Sequence, residues 1–121
     1  MSLLHEELTR NILAACFEVS NELGAGFLES VYEKALLIAL RQKGLADAQV
    51  PIYISFRGRN VGQFFADIQV EKQVIIELKA VTTLMPEHKA QLINYLKAAD
   101  IEVGLLVNFG NPRLEYRRYH K

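Results

Sequence analysis

The chain has 121 residues, half of them hydrophobic, which is the size of one domain with a sizeable core and too short for two of ordinary size. Fourteen Lys and Arg residues balance fourteen Asp and Glu residues, so no whole-molecule field draws in nucleic acid or an anionic membrane, and any phosphate-binding surface must be local. One cysteine, Cys16, excludes an intrachain disulfide and a Cys-rich zinc or iron–sulfur site; its place in a helical pattern reads as a buried, inert thiol. The amino terminus, with His5, Glu6, Glu7 and Arg10, lacks the apolar run of a signal peptide, and no apolar stretch reaches membrane-spanning length. These features predict a cytoplasmic protein whose residues 1–121 form one domain.

Leu4, Leu8, Ile12, Ala15, Val19 and Leu23 recur at spacings of three and four, which predicts an amphipathic helix from Leu4 to Leu23. Gly24-Ala25-Gly26 breaks it. The helical pattern resumes from Leu28 through Tyr32, Ala35, Leu36, Ala39 and Leu40 and ends at Lys43-Gly44, a basic last turn followed by a residue suited to the left-handed position. The period then changes to two. Val50 to Phe56 reads as a strand, Arg57-Gly58-Arg59-Asn60 as a turn, and Val61 to Val70 as the returning strand of a hairpin, with a third strand from about Val74 to Ala80.

In the second of these strands Phe64, Ala66, Ile68 and Val70 share one face, and in the third Val74, Ile76, Leu78 and Ala80 do. Matching the two apolar sets requires a three-residue loop, Glu71-Lys72-Gln73, because a two-residue turn would set apolar against polar side chains all along the pair. The chosen register opposes Val70 with Val74, Ile68 with Ile76 and Ala66 with Leu78. On the other face it sets Asp67 across from Glu77, with Lys79 one step further along. Directly opposed like charges destabilise a sheet, so a cation is expected beside them, either Lys79 or a divalent metal bound by carboxylate oxygens. From spacing alone these residues also read as a solvated strand face with a cross-strand ion pair.

Pro86 and Glu87 suit the first turn of a helix whose apolar stripe is Leu92, Ile93, Leu96 and Ala99, ending near Asp100. Val103 to Phe109 is nearly all apolar, as expected for a strand buried on both faces and parallel to the third strand across a helical crossover. Gly110-Asn111-Pro112 turns the chain, and Leu114 to Tyr119 reads as an edge strand within a basic tail of Arg113, Arg117, Arg118, His120 and Lys121. His88, Gln91 and Tyr95 form a polar line on the crossover helix, which also reads as an ordinary helix edge with a snorkelling tyrosine. Glu29 falls in the first turn of the second helix, where a carboxylate complements the helix dipole.

The stretch Gly26 to Tyr32 resembles the G-x-x-E-x-x-Y signature of the bacterial GxxExxY protein family. Glu33-Lys34-Ala35-Leu36, Glu77-Leu78-Lys79-Ala80, Gln91 to Leu96 and Val103 to Gly110 are similar to it as well, so the resemblance covers nearly the whole chain. Members of that family are similar to PD-(D/E)XK nucleases, and the order helix glutamate, strand aspartate, E-x-K and Q-x-x-x-Y resembles the RecB-type branch. The implied fold is an α/β, PD-(D/E)XK nuclease-like mixed sheet: two N-terminal helices, an antiparallel three-strand unit, a crossover helix and a parallel strand.

Carried over residue by residue, the resemblance implies Asp67, Glu77 and Glu29 as the metal-binding acids and Lys79 as the group that orients water or stabilises phosphate charge. It implies Gln91 and Tyr95 as residues that support the site or touch substrate. Ala66 stands where the fold's name has proline, and Phe65 stands where an arginine is expected in many relatives. The implied activity is hydrolysis of phosphodiester bonds, with DNA as the expected nucleic acid, magnesium or manganese as cofactor and a homodimer as one way to span a duplex. The competing expectation is a noncatalytic nucleic-acid- or protein-binding module that keeps the nuclease fold.

Overall fold

The computed structural model describes residues 5–45 and 50–121. The apolar stripe of the first helical segment forms α1 (Glu6–Leu23), burying Ile12, Ala15, Cys16 and Val19. Leu4, where the predicted helix began, lies outside the described residues. The second segment forms α2 (Glu29–Gln42), burying Tyr32, Leu36, Ala39 and Leu40. Its end follows the expected chemistry: Gly44 is left-handed at φ 75° and the Leu45 N–H donates back to the Leu40 carbonyl.

Six strands follow in chain order, interrupted by one helix. They are β1 (Pro51–Phe56), β2 (Arg59–Phe65), β3 (Ile68–Val70), β4 (Val74–Lys79), β5 (Val103–Asn108) and β6 (Glu115–His120), with α3 (Pro86–Ala99) between β4 and β5. The main sheet has the order β3-β4-β5-β6, with β4 and β5 parallel and the outer pairs antiparallel. Two of its residue sets face opposite layers. Ile68, Val70, Val74, Ile76, Leu78, Val103, Leu105, Val107 and Phe109 pack against α1 and α2, while Ile75 and Leu106 pack against Leu92, Leu96 and Ile101. Every residue of β5 is buried, as its apolar run predicted. Among the described residues no helix is long and apolar enough to cross a membrane.

The single strand expected over Val61 to Val70 is two strands in two different sheets. β2 pairs only with β1, through a two-residue turn at Arg57-Gly58, both at positive φ, so that Arg59 and Asn60 belong to the strand rather than to the turn. β3 joins the main sheet, and Ala66-Asp67 lies between the two strands. The faces change there. Ile68 and Val70 pack with α1 and α2, whereas Ala66 and Phe64 belong to the cluster under α3, so Ala66 does not oppose Leu78 as expected. The register beyond the break is the expected one: Val70 opposes Val74 and Ile68 opposes Ile76. The loop is Glu71-Lys72-Gln73, with Glu71 and Lys72 left-handed and the Gln73 N–H donating to the Val70 carbonyl.

The ends of β4 and β5 are pressed together. A Cβ added to Gly110 would stand 2.5 Å from the Val81 backbone nitrogen and closer still to its carbonyl oxygen, whereas one added to Gly62 would meet only the Ile54 side chain at 3.9 Å. Gly110→Ala is therefore expected to lower unfolding stability by about 1–3 kcal/mol or more, as overpacking against backbone does. Gly62→Ala should be neutral or raise it by up to about 1 kcal/mol, since glycine weakens a strand interior. Urea unfolding of the two variants checks both; equal midpoints would show that the β4–β5 corner tolerates separation.

Candidate active site

The break at Ala66-Asp67 brings two acids together. Where pairing between β3 and β4 stops, the Asp67 N–H donates to Glu77 Oε1 at 3.2 Å and the Leu78 N–H donates to Asp67 Oδ2 at 2.8 Å. Each carboxyl thus accepts from a backbone donor of the other acid's strand, which satisfies groups that a continued ladder would have paired. Glu77 and Lys79 are two residues apart on β4 and lie on the face opposite Leu78, toward α3.

Glu77 is 6% exposed. Burial first, and then the Asp67 carboxyl beside it, push the Glu77 pKa up to about 8; the Asp67 N–H and Lys79 act against that rise without cancelling it. Glu77 is therefore the member of the pair that keeps its proton when no cation is present. Glu29 is the first residue of α2 and is exposed overall. Partial loss of water around its carboxyl raises its pKa, Lys79 pulls it down, and Asp67 and Glu33 raise it further, so it shares a field with both Lys79 and Asp67.

An open cleft of about 910 Å³ runs between α3 and the β1–β2 hairpin, lined by residues that include Tyr53, Ile54, Phe64, Gln91, Asn94 and Tyr95. Tyr95 stacks on Phe64 with ring centroids 3.6 Å apart, and its phenol pKa is raised by burial, then by Glu77 and Asp67. Tyr95 consequently joins the cleft to the acidic pair. Gln91 is exposed on the cleft wall and makes no hydrogen bond to the acids. His88, the first member of the expected polar line, does something else: its Nδ1 accepts from the Met85 N–H and caps α3.

Two supporting residues were given no role from the sequence, although Tyr32 closes the G-x-x-E-x-x-Y signature. Asn108, fully buried at the end of β5, accepts from the Val81 and Gly110 N–H groups at 3.0 Å each, and donates to the Val81 carbonyl at 2.8 Å and to Glu115 Oε1 at 3.2 Å. Tyr32 donates its hydroxyl hydrogen to the Gly24 carbonyl at 2.6 Å and accepts from the Phe27 N–H at 3.2 Å, bridging the elbow ahead of Glu29. The available signals were the one polar residue within the apolar run Val103 to Phe109, and a tyrosine on the buried stripe of α2.

The donor set fits a hard divalent cation. Two carboxyls are set side by side, the pKa of one raised by burial and by the other acid, and such ions take carboxylate oxygens together with water or phosphate oxygens. Among the described residues no three His, Cys, Asp or Glu side chains are grouped closely enough to hold a metal by themselves, so Glu29 does not close a three-acid cage with Asp67 and Glu77.

Residues 6–119 match the PD-(D/E)XK nuclease superfamily. No curated protein matches the chain. The crystal structure of SSO0001 shares the fold at a TM-score of 0.63 and 22% identity, over 97% of this chain and 59% of that one; the chain therefore spans about three-fifths of that protein's length.

The raised pKa of Glu77 has a definite sign for stability. A carboxyl whose folded pKa lies above its unfolded value binds the proton more tightly in the native state, so its contribution is fully present below the ordinary carboxylate range and is lost as pH rises through about 8. In chelator, the wild type should be less stable at pH 9 than at pH 5 on account of this group, and Glu77→Gln should flatten the difference. Urea titrations at the two pH values test this; an unchanged slope in Glu77→Gln would remove Glu77 as its source.

Proposed function

The chain belongs to the PD-(D/E)XK nuclease superfamily, and on that premise we propose that it is a divalent-metal-dependent nuclease acting on DNA, with the GxxExxY signature and the RecB-type order of motifs. The observation that carries this reading is the pair of backbone-to-carboxyl hydrogen bonds that set Asp67 beside Glu77, with the Glu77 pKa raised by burial and Lys79 on the same strand face. A buried acid beside a half-buried one is costly unless a proton or a positive charge joins them.

Asp67 and Glu77 are the residues that would hold magnesium or manganese. When bound, the ion supplies Lewis-acid stabilisation of charge on the phosphate and on the attacking water. Lys79 shares the Glu77 face of β4 by strand alternation, and in this reading its ammonium donates hydrogen bonds to the attacking water or to a phosphate oxygen as negative charge grows there. Glu29 feels the positive charge of Lys79, and in this reading it helps to hold that ammonium toward the site. In the reaction the water oxygen forms a new bond to phosphorus, the bond to one ester oxygen breaks, and that oxygen leaves with a proton. Tyr95 and Gln91 line the cleft, which the acids themselves do not, and Tyr95 alone of the two feels the charge of Glu77 and Asp67; this suits the pair to contact with a substrate strand that runs from the cleft toward the acids.

A noncatalytic binding module is the second reading, and the equal count of acidic and basic side chains favours it, because no general field concentrates nucleic acid at the site. A two-fold pair of copies would enlarge the surface offered to a duplex in either case.

Incubation with single- and double-stranded DNA and RNA, in magnesium, manganese or chelator, separates the two readings. The wild type should cut DNA only with metal, and Lys79→Ala should cut at least about a hundredfold more slowly, the usual cost of removing a group that stabilises transition-state charge. Metal should still bind to Lys79→Ala, since a protonated ammonium is no ligand. Binding to the native state alone raises stability by roughly 2.7 kcal/mol at a hundredfold excess over the dissociation constant, so thermal unfolding reports it. Asp67→Asn should lose both the thermal shift and cleavage. Equal cutting by wild type and Lys79→Ala would sink the role of this lysine, and no cutting of any substrate with either metal would leave the binding module.

A further inference from the structure

The candidate site draws Glu29 from α2 and Lys79 from β4, segments far apart in sequence, and one short corner touches the supports of both. The corner is Asn108-Phe109-Gly110, at the end of β5. On one side it grips the exit of β4: the Phe109 N–H donates to the Lys79 carbonyl at 2.8 Å, Asn108 bonds both the N–H and the carbonyl of Val81, and Gly110 lies against the Val81 backbone with no room for a side chain. On the other side the Phe109 ring stacks on Tyr32, centroids 4.9 Å apart and planes within 9°. Tyr32 in turn holds the Gly24 carbonyl and the Phe27 N–H of the elbow that leads into Glu29. Leu28 at the helix N-cap offers no side-chain hydrogen bond; the elbow is otherwise held by the Gly24 N–H on the Ser20 carbonyl and by the Phe27 ring edge-to-face on Tyr32, neither of which needs the Tyr32 hydroxyl.

We propose that the Asn108-Phe109-Gly110 corner is a positioning element that fixes the Lys79 arm and the Glu29 arm of the site in one rigid frame. This rests on the nuclease reading for its catalytic consequence but not for its geometry. The corner's groups are themselves buried or turned toward backbone, so none of them touches substrate. Their effect must pass through the two arms. Asn108 uses both ends of its amide, and replacing it leaves the Val81 N–H and carbonyl without their partner, so the chain just beyond Lys79 loses its fixed exit. Removing the Tyr32 hydroxyl leaves the ring stack and the core in place and releases only the elbow. A displacement of about 1 Å in a reacting group can cost up to a hundredfold in rate, which is the scale on which such a frame matters.

Two variants test it in the full-length protein: Tyr32→Phe, which deletes one oxygen, and Asn108→Ala, with Asn108→Ser in reserve should the alanine variant not fold. Amide hydrogen exchange is followed at Phe27 and Val81. Tyr32→Phe should speed exchange at Phe27 at least tenfold and leave Val81 unchanged, and the Asn108 variant should do the reverse. With a DNA oligonucleotide and manganese, each should lower kcat about tenfold to a hundredfold with KM within twofold of wild type. The loss caused by Tyr32→Phe should vanish in a Glu29→Gln background, and that of the Asn108 variant in a Lys79→Ala background, because a group that is gone cannot be misplaced. Losses that persist undiminished in those backgrounds would mark the corner as a general structural support and overturn the proposal, as would wild-type kcat in both variants. If the wild type cleaves nothing, the nuclease reading fails and exchange alone decides: selective loss of protection upholds the frame, and unchanged protection at both amides overturns it.

Discussion

A buried carboxyl is the constraint around which this structure is arranged. Glu77 sits on the central β4 with almost no access to water, and a group of that kind must be hydrogen-bonded, protonated or matched by a cation. The strand across from it answers by ceasing to be a strand. At Asp67 the backbone turns its N–H to Glu77, the Asp67 side chain takes the Leu78 N–H, and regular pairing ends after Ile68. The chain that precedes Asp67 is thereby free to leave the main sheet. It pairs with β1 instead, and the hairpin lies over α3 with Ile52 and Phe64 against Leu92, Leu96 and Tyr95. The cleft between hairpin and helix follows from that departure.

The parallel pairing of β4 with β5 supplies the rigidity on the other side. Lys79 is the last residue of β4 and pairs with Asn108, the last residue of β5, so both strands end at the same level. At strand ends backbone groups commonly turn to water; here Asn108 substitutes for it, with each polar atom of its buried amide engaged. A fully satisfied buried amide fixes direction as well as energy, since its donors and acceptor are not interchangeable. The neighbouring Phe109 extends the same end of the sheet toward α2 by stacking on Tyr32. One corner thus touches both the exit of β4 and the Tyr32 side chain of α2.

Most of this order was legible in the sequence because it follows from periodicity. The helix stripes, the buried run of β5 and the register of β3 on β4 all come from apolar residues that must share a face, and the three-residue loop was the one that satisfied them. The break at Ala66-Asp67 was not legible, for a particular reason. Phe64, Ala66, Ile68 and Val70 are apolar at every second position, and alternation reads the same whether they line one face or two. The opposed acids were the available hint, since two carboxyls in register disfavour a regular ladder. Glu29 was placed correctly on the first turn of α2, but its approach to Lys79 depends on how the layers pack, and periodicity carries no information about that. Asn108 was read as part of an apolar strand because its partners, Val81 and Glu115, lie 27 residues before it and 7 after.

The burial of Glu77 also links any bound cation to pH. A carboxyl whose pKa stands near 8 holds a proton at neutral pH, and a divalent ion cannot accept that oxygen pair until the proton leaves. Metal binding must then release a proton, and the fraction released falls as pH rises through the pKa, because fewer sites remain protonated. The apparent affinity for magnesium or manganese should accordingly rise with pH from about 6 to 8 and level off above the Glu77 pKa. Calorimetric titration in two buffers of different ionisation enthalpy measures the proton count directly. Close to one proton released at pH 6, and close to none at pH 9, is the expected result; a count near zero at both would mean that Glu77 is already ionised in the free protein and that its burial is relieved in some other way. A raised Glu77 pKa also lowers the cost of setting the two acids side by side, because a protonated carboxyl carries no charge to repel Asp67.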